Sequence, residues 1–412
     1  MRRGLLAVLL LGLACTPPAL AGTVGTWERF TGDDGGNTSY LGLHRTSDGV
    51  LHAVWESVNP ATTNSTDILH RTVAPNGVIA PRTLVVNWPN ASPPDIAAAP
   101  GGGLLTLWGG IKGSADSGFA TSDDSGAAWA ESPTPPVASG SLYASPVSIE
   151  NGPGGTVFST WYGTSGTWVH LGTDPATPNF NYQTPLGGYA ESAPNLAVDG
   201  ADGTMWLGWP VFSAGANNGA WVTQVDTATG APAGAPLKVP GSSTTYAGAQ
   251  EGPSTLGRWA ITGRPGRPGV FVASPAGYPS ENKIVFWRVG QPSSITLDAS
   301  AAQHRQVAMT ADADGRIIVV WGTDSGGAAG QFFARVSNTD VTSFGPTFEI
   351  PAPPSAGSLG AIAASGQSGG LIDLFANVTE KDNQTIRYYH TQAIPPPILA
   401  KAVNAKVVSG VV

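Results

Sequence analysis

Hydrophobic positions in this chain fall in short runs, each preceded by a glycine turn and most of them closed by an aromatic side chain. The runs are Val50–Trp55, Leu104–Trp108, Thr156–Trp161, Thr204–Trp209, Val270–Ala273, Arg316–Trp321 and Leu371–Phe375. In six copies a glycine stands six residues ahead of the aromatic: Gly49 and Trp55, Gly102 and Trp108, Gly155 and Trp161, Gly203 and Trp209, Gly315 and Trp321, Gly369 and Phe375. A seventh copy is looser, from Gly266 to Phe271. Short apolar or alternating runs rich in β-branched and aromatic residues, bounded by glycine turns, predict strands. Successive aromatics lie 53, 53, 48, 62, 50 and 54 residues apart, and a strand repeat of that length predicts one four-stranded blade per copy. The expected fold class is therefore all-β, a seven-bladed β-propeller of four-stranded antiparallel blades. Six blades are the alternative, reached by a miscount at the loose copy.

Each repeat reads as strand A, glycine turn, strand B ending in the aromatic, strand C and a weaker strand D. Small residues dominate several A strands, most clearly Ile96-Ala97-Ala98-Ala99 and Ala361-Ile362-Ala363-Ala364, which suits the crowded position around a central channel. Trp55, Trp108, Trp161, Trp209 and Trp321 recur at equivalent positions, so packing between blades accounts for them better than a ring of sugar-stacking platforms. A closed ring needs one chain end to complete the last blade. Both Trp27 to Thr31 and Ile398 to Val412 qualify, and the sequence leaves the choice open.

Composition agrees with turns and strands rather than helices: of 412 residues, 55 are glycine and 35 proline, and only 12% are charged. Residues 1–21 read as a signal peptide, with basic Arg2 and Arg3, an apolar core Leu5 to Leu13 and Ala19-Leu20-Ala21 as the small-x-small cleavage site. Residues 22–412 are then expected to form a single propeller domain, exported to the extracellular space or cell envelope. A lipoprotein anchor at Cys15 is the lesser alternative, because Gly12-Leu13-Ala14 lacks the usual leucine. Cys15 is the only cysteine, so the mature chain would hold neither disulfides nor thiolate metal sites. Without Arg2 and Arg3, 18 basic side chains face 28 acidic ones. That balance argues against nucleic acid and anionic membranes as partners. No later stretch is apolar enough to insert in a bilayer, and a monomer is expected.

In the second repeat, Ser122-Asp123-Asp124-Ser125-Gly126-Ala127-Ala128-Trp129 fits the Asp-box pattern Ser-x-Asp-x-Gly-x-x-Trp, with Ala128 where threonine is common. On this motif the chain resembles the sialidase-like superfamily of Asp-box (BNR repeat) propellers. The physical sense of the motif is local: Asp124 accepts backbone hydrogen bonds across a tight hairpin, Gly126 permits positive φ, and Trp129 packs under the blade. The superfamily includes hydrolases, lyases and non-catalytic binders, so the resemblance implies a fold before it implies an activity. For true sialidases it would imply three arginines gripping a carboxylate, a tyrosine paired with a glutamate, and an aspartate acid/base. Arg45, in Leu43-His44-Arg45-Thr46, is the nearest match to the first arginine and lacks the proline that should follow it.

In an antiparallel meander the A–B and C–D turns share one face, and the B–C loops and blade connections share the other. Propeller ligands sit at the channel mouth on that second face, ringed by the starts of the A strands. Candidates there are Glu191 and His304 as a proton-transfer pair, Arg258 and Arg305 as a bidentate grip on a carboxylate, and Asp95 and Tyr143 as further ligand contacts. The histidines are dispersed without metal-ligand spacing, so neither a metal nor a cofactor is expected. The expected partner is a carbohydrate or glycoconjugate, bound without catalysis. A sialidase-like glycoside hydrolase or polysaccharide lyase acting on acidic sugars comes second, and a protein-interaction scaffold third.

Overall fold

The computed structural model describes residues 25–32, 41–58, 65–89, 91–112, 115–133, 148–163, 166–172, 194–211, 216–243, 260–278, 280–300, 303–324, 331–382 and 386–394. Its strands form seven separate antiparallel sheets. The first is β2 (Leu41–Arg45), β3 (Leu51–Val58), β4 (Ser65–Val73) and β5 (Thr83–Pro89), and the second is β6 (Asp95–Ala98), β7 (Leu104–Lys112), β8 (Ala115–Ser122) and β9 (Ala130–Glu131). Among the described residues the third has three strands, β10 (Ser148–Asn151), β11 (Val157–Gly163) and β12 (Gly166–Gly172). The fourth is β13 (Asn195–Val198), β14 (Met205–Val211), β15 (Gly219–Val225) and β16 (Leu237–Lys238). The fifth and sixth are β17 (Ile261–Arg264), β18 (Arg267–Ala276), β19 (Lys283–Arg288), β20 (Ile295–Ala299), and β21 (Gln303–Ala311), β22 (Ile317–Asp324), β23 (Phe332–Val336), β24 (Phe348–Ile350). The seventh joins β25 (Ala356–Gly366), β26 (Ile372–Glu380) and β27 (Ile386–Ala393) to β1 (Glu28–Arg29), a strand from the other end of the chain. The seven-bladed propeller expected from the repeat is the observed architecture.

The loose fifth copy has a local cause. Thr262 pairs with Phe271 but Arg264 pairs with Arg267, so a bulge sets the single residue Gly263 against Pro268, Gly269 and Val270. Phe271 is fully buried in the blade core, with the glycine five residues away instead of six.

Ring closure comes from the N-terminal segment. Glu28 pairs with His390 and Arg29 with Tyr389. Phe30 then inserts between the first and last blades, edge-on to Trp55 at 5.4 Å and to Phe375 at 5.0 Å. The proposed closing segment Ile398 to Val412 and the expected signal peptide, residues 1–21, lie outside the described residues.

Trp55, Trp108, Trp209 and Trp321 are at most 1% exposed, which places them between blades. The Trp161 side chain lies outside the described residues. Each of those four indole N–H groups is buried without an acceptor, so these rings are held by shape and apolar contact rather than by hydrogen bonds.

The Ser122–Trp129 hairpin has the geometry its residues predict. Ser122 Oγ donates to Asp124 Oδ1 at 2.7 Å, Asp124 Oδ1 also accepts from Ala128 N at 2.9 Å, and Gly126 takes φ +87°. A second reason for Gly126 comes from the neighbouring blade, since a Cβ there would lie 2.1 Å from the His70 ring. His70 and His52 are 3.0 Å apart through Nε2 and Nδ1, and His70 Nδ1 meets Thr83 Oγ1, which itself donates to Gly126 O. Thr83 therefore accepts from His70 Nδ1–H, and His52 Nδ1 faces His70 Nε2 across the second hydrogen bond. Burial, with the nearby His52 charge adding to it, pulls His70 down to about 3.

Candidate functional site

The seven A strands enclose a central cavity of about 260 Å³. Leu41, Leu43, Ile149, Leu196, Ile261 and Ala361 to Ala364 line it, but polar atoms make up most of the surface that faces the space. The polar groups set into it are Asp95, Glu150, Asn195, Thr262, Thr310 and Ser365. Small side chains on these strands are what leave the space open.

Near the mouth, side chains stitch one A strand to the next. Asp95, at the first position of β6, accepts Ile96 N through Oδ1 and Ile149 N of the next blade through Oδ2, both at 2.9 Å. One blade further on, Ser148 Oγ donates to Asn195 Oδ1 at 2.5 Å, and Asn195 Oδ1 accepts Leu196 N at 3.0 Å. Asn151 holds both backbone groups of Ala98 in the same way. The Asp95 carboxylate is thus anchored, 4% exposed, and its charge acts on what lies beside it.

Beside it is Glu150, the third residue of β10. Burial, reinforced by the negative charge of Asp95, pushes the Glu150 carboxyl up to about 8 against a weaker opposing hydrogen bond from Asn151 N. At neutral pH it is a protonated acid able to donate a hydrogen bond into the cavity. Strand register shows how unusual it is. Glu150 pairs with Phe158, three residues before Trp161, and the same position in other blades holds His44, Ala97, Ala197, Thr310 and Gly366. Reading polar residues only at the openings of the A strands passes over Glu150, whereas aligning the blades on their aromatics sets it apart, with His44 of the first blade, from the small or hydroxyl residues at that position.

Of the residues expected at the mouth, the structure brings Asp95 to the cavity. His304 it places elsewhere, fully buried, its Nε2 2.8 Å from Asp298 Oδ2 and 3.3 Å from Ser300 Oγ. Burial lowers its pKa more strongly than Asp298 raises it. Arg305 belongs to β21 at a bulge in its pairing with β22, and its side chain is outside the described residues. Glu191, Arg258 and Tyr143 also lie outside them. Arg45 sits at the other end of the channel, where Nη2 meets Asp373 Oδ2 at 2.5 Å and Ser365 Oγ at 3.1 Å. It is committed to the join between the first and last blades. Among the described residues no group of histidine, cysteine and carboxylate side chains is arranged to hold a metal, and no helix is long and apolar enough to cross a membrane.

Comparison with solved structures bears on this geometry. A protein of unknown function from Dyadobacter fermentans superposes with a TM-score of 0.53 at 9% identity, covering 90% of this chain and 99% of that one. An alpha-L-arabinanase from Penicillium chrysogenum, solved with arabinobiose, superposes with a TM-score of 0.51 at 12% identity over 73% of this chain and 94% of its own. The NanB sialidase from Streptococcus pneumoniae gives 0.49 at 9% identity, over 89% and 70%. What the chain shares with the first two of these proteins is the fold. No protein-family model matches the chain, and no curated protein matches it in sequence.

Glu150 makes a testable contribution to pH dependence. A carboxyl whose folded pKa lies near 8, against 4.5 when unperturbed, keeps a proton in the folded state that the unfolded chain has released. Stability must therefore fall as pH rises through that window. Denaturant midpoints at pH 5 and pH 8 should drop more for the wild type than for Glu150→Gln, which cannot ionise. An equal drop in both proteins would show that Glu150 ionises freely.

Proposed function

We propose that the protein is an exported glycan-binding propeller that holds a sugar unit in the mouth of its central channel. The observation that supports this most is the cavity itself: a mainly polar surface, with a protonated Glu150, Asn195 and three hydroxyl side chains, set among aliphatic side chains. Such a mixture suits a sugar, whose ring faces are apolar and whose rim is hydroxyl. Its volume is on the scale of one sugar residue, given that ligand pockets of about 300 to 1,000 Å³ hold drug-sized molecules. The shared fold with an arabinanase solved with arabinobiose makes short arabino-oligosaccharides the first probes.

The test is a glycan array followed by calorimetry on the retained sugar. Saturable binding is expected, weakened at least tenfold in Glu150→Ala. An array that retains nothing, or binding indifferent to Glu150 and Asn195, would overturn the proposal. Export is checked separately, by finding Gly22 at the amino terminus of the secreted protein.

One observation favours hydrolysis as a second reading. A protonated Glu150 beside Asp95, whose oxygens are anchored by Ile96 N and Ile149 N, is the kind of carboxyl pair that glycoside hydrolases use. Release of reducing ends from the bound sugar, lost in Glu150→Gln while binding persists, would select it.

A further inference from the structure

The face opposite the channel mouth, built from the A–B and C–D turns, carries three arginines in one place. Arg264 ends β17, Arg267 begins β18 directly opposite it, and Arg288 ends β19 opposite Phe271. In an acidic chain with 20 basic side chains in all, this concentration of positive charge is unusual.

Arg264 is 5% exposed. It donates through Nη1 to Thr339 O at 2.8 Å and Gly315 O at 3.4 Å, and through Nη2 to Pro268 O at 2.5 Å. Its Nε–H is buried with no acceptor. Both Arg264 and Arg288 lie over the Phe271 ring, at 5.5 and 5.9 Å from its centroid. Arg267 lies along the other flank, where its Cδ would be 2.4 Å from a Cβ at Gly315, the residue whose carbonyl Arg264 holds. Each of the other two arginines thus shares a neighbour with Arg264: Arg288 the Phe271 ring, and Arg267 the residue Gly315.

Arg267 and Arg288 are exposed, and among the described residues neither forms an ion pair. Burial and then the like charges of Arg288 and Arg267 depress the Arg264 pKa, with Asp199 and Asp340 opposing them. Asp199 is itself engaged, accepting Gly269 N at 2.6 Å and Ala201 N at 3.0 Å. The cluster thus holds two guanidinium forks without an ion pair beside a buried cation that cannot move away from them.

We propose that this turn face is an anion-binding site in which Arg288 and Arg267 grip one sulfate or carboxylate group in the field of Arg264. Guanidinium forks match the geometry of such oxyanions bidentately, and Lys would supply only a point charge. Arg264 acts through its charge, since both its terminal nitrogens are held by carbonyl oxygens. The site is separate from the channel and does not depend on the sugar-binding reading.

Calorimetric titration with sodium sulfate at low ionic strength tests it, with sodium chloride as the control for simple screening. Calorimetry is preferred to thermal shift because sulfate stabilises folded proteins by exclusion whether or not it binds. One saturable site is expected in the wild type, weakened at least tenfold in Arg267→Ala/Arg288→Ala and less in Arg288→Lys. Both substituted side chains are exposed, and an unchanged melting temperature without sulfate confirms that the double variant is folded. Should it melt early, the single variants Arg267→Ala and Arg288→Ala carry the same test. A parallel titration with a sulfated disaccharide separates sources: tighter binding than inorganic sulfate points to an acidic glycan, equal binding to a free anion. Absence of saturable binding, or equal affinity in the wild type and the double variant, would overturn the proposal.

Discussion

Trp209→Ala is expected to destabilise the protein by about 3 to 5 kcal/mol, the range for truncating a large buried aromatic. Trp209 is 1% exposed and packs with Leu196, Met205, Leu207, Val211 and Val225 of its own blade. Phe158 of the preceding blade belongs to the same cluster, so the cavity left by the substitution would open at a blade-to-blade contact. At roughly 2.1 cal/mol/K of unfolding entropy per residue, the melting temperature should fall by about 4 to 6 °C. Because the indole N–H has no acceptor, Trp209→Phe should cost far less than Trp209→Ala. A melting temperature unmoved by Trp209→Ala would instead mark the ring as an exposed stacking platform.

Asp373→Ala should cost a similar amount, about 3 to 5 kcal/mol, for an electrostatic reason. The Asp373 carboxylate is fully buried and accepts four donors: Arg45 Nη2 at 2.5 Å, Gln367 Nε2 at 2.7 Å, His390 Nε2 at 2.8 Å and Gln392 Nε2 at 3.1 Å. Only Arg45 comes from the first blade, so removing the carboxylate strands that cation at the join and leaves buried donors without an acceptor. Burial pushes the Asp373 carboxyl up, but His390 and Arg45 more than offset it and hold its pKa below the ordinary 3.8. A depressed folded pKa means that the stability is fully present above about pH 4 and is lost as pH falls through the folded value. Chemical denaturation of wild type and Asp373→Ala should therefore show a wide gap at pH 7 that narrows at pH 3. A gap of the same width at both pH values would remove the charge from the explanation.

Blade number, strand order and the buried role of the tryptophans were legible because they depend on periodicity, and each blade repeats the same physical problem of burying two faces. Arg45, His304 and Glu150 were not, because each depends on a neighbouring blade or on register. Arg45 looks like a ligand-gripping cation until Asp373, 328 residues away, is placed beside it. His304 looks like a mouth residue until the turn after β20 brings Asp298 against it. Glu150 is one polar residue in Ser148-Ile149-Glu150-Asn151, and nothing in that tetrapeptide says that Asp95 shares its environment. The closing strand, only Glu28 and Arg29, was undecidable from propensity, since two residues carry almost no pattern.

Closure by β1 also sets an order of events during biosynthesis. Thr31 Oγ1 accepts Tyr388 N, and Phe30 N donates to Tyr388 O, contacts that join the beginning of the ring to its end. The first strand made has no partner until β27 has left the ribosome, an interval of roughly 20 to 70 seconds at about 5 to 20 residues per second. Throughout that time Phe30 can reach Trp55 of the first blade but lacks Phe375 and Tyr388 of the last. The ring is therefore completed only after synthesis, and a chain translocated across a membrane amino terminus first would close on the far side.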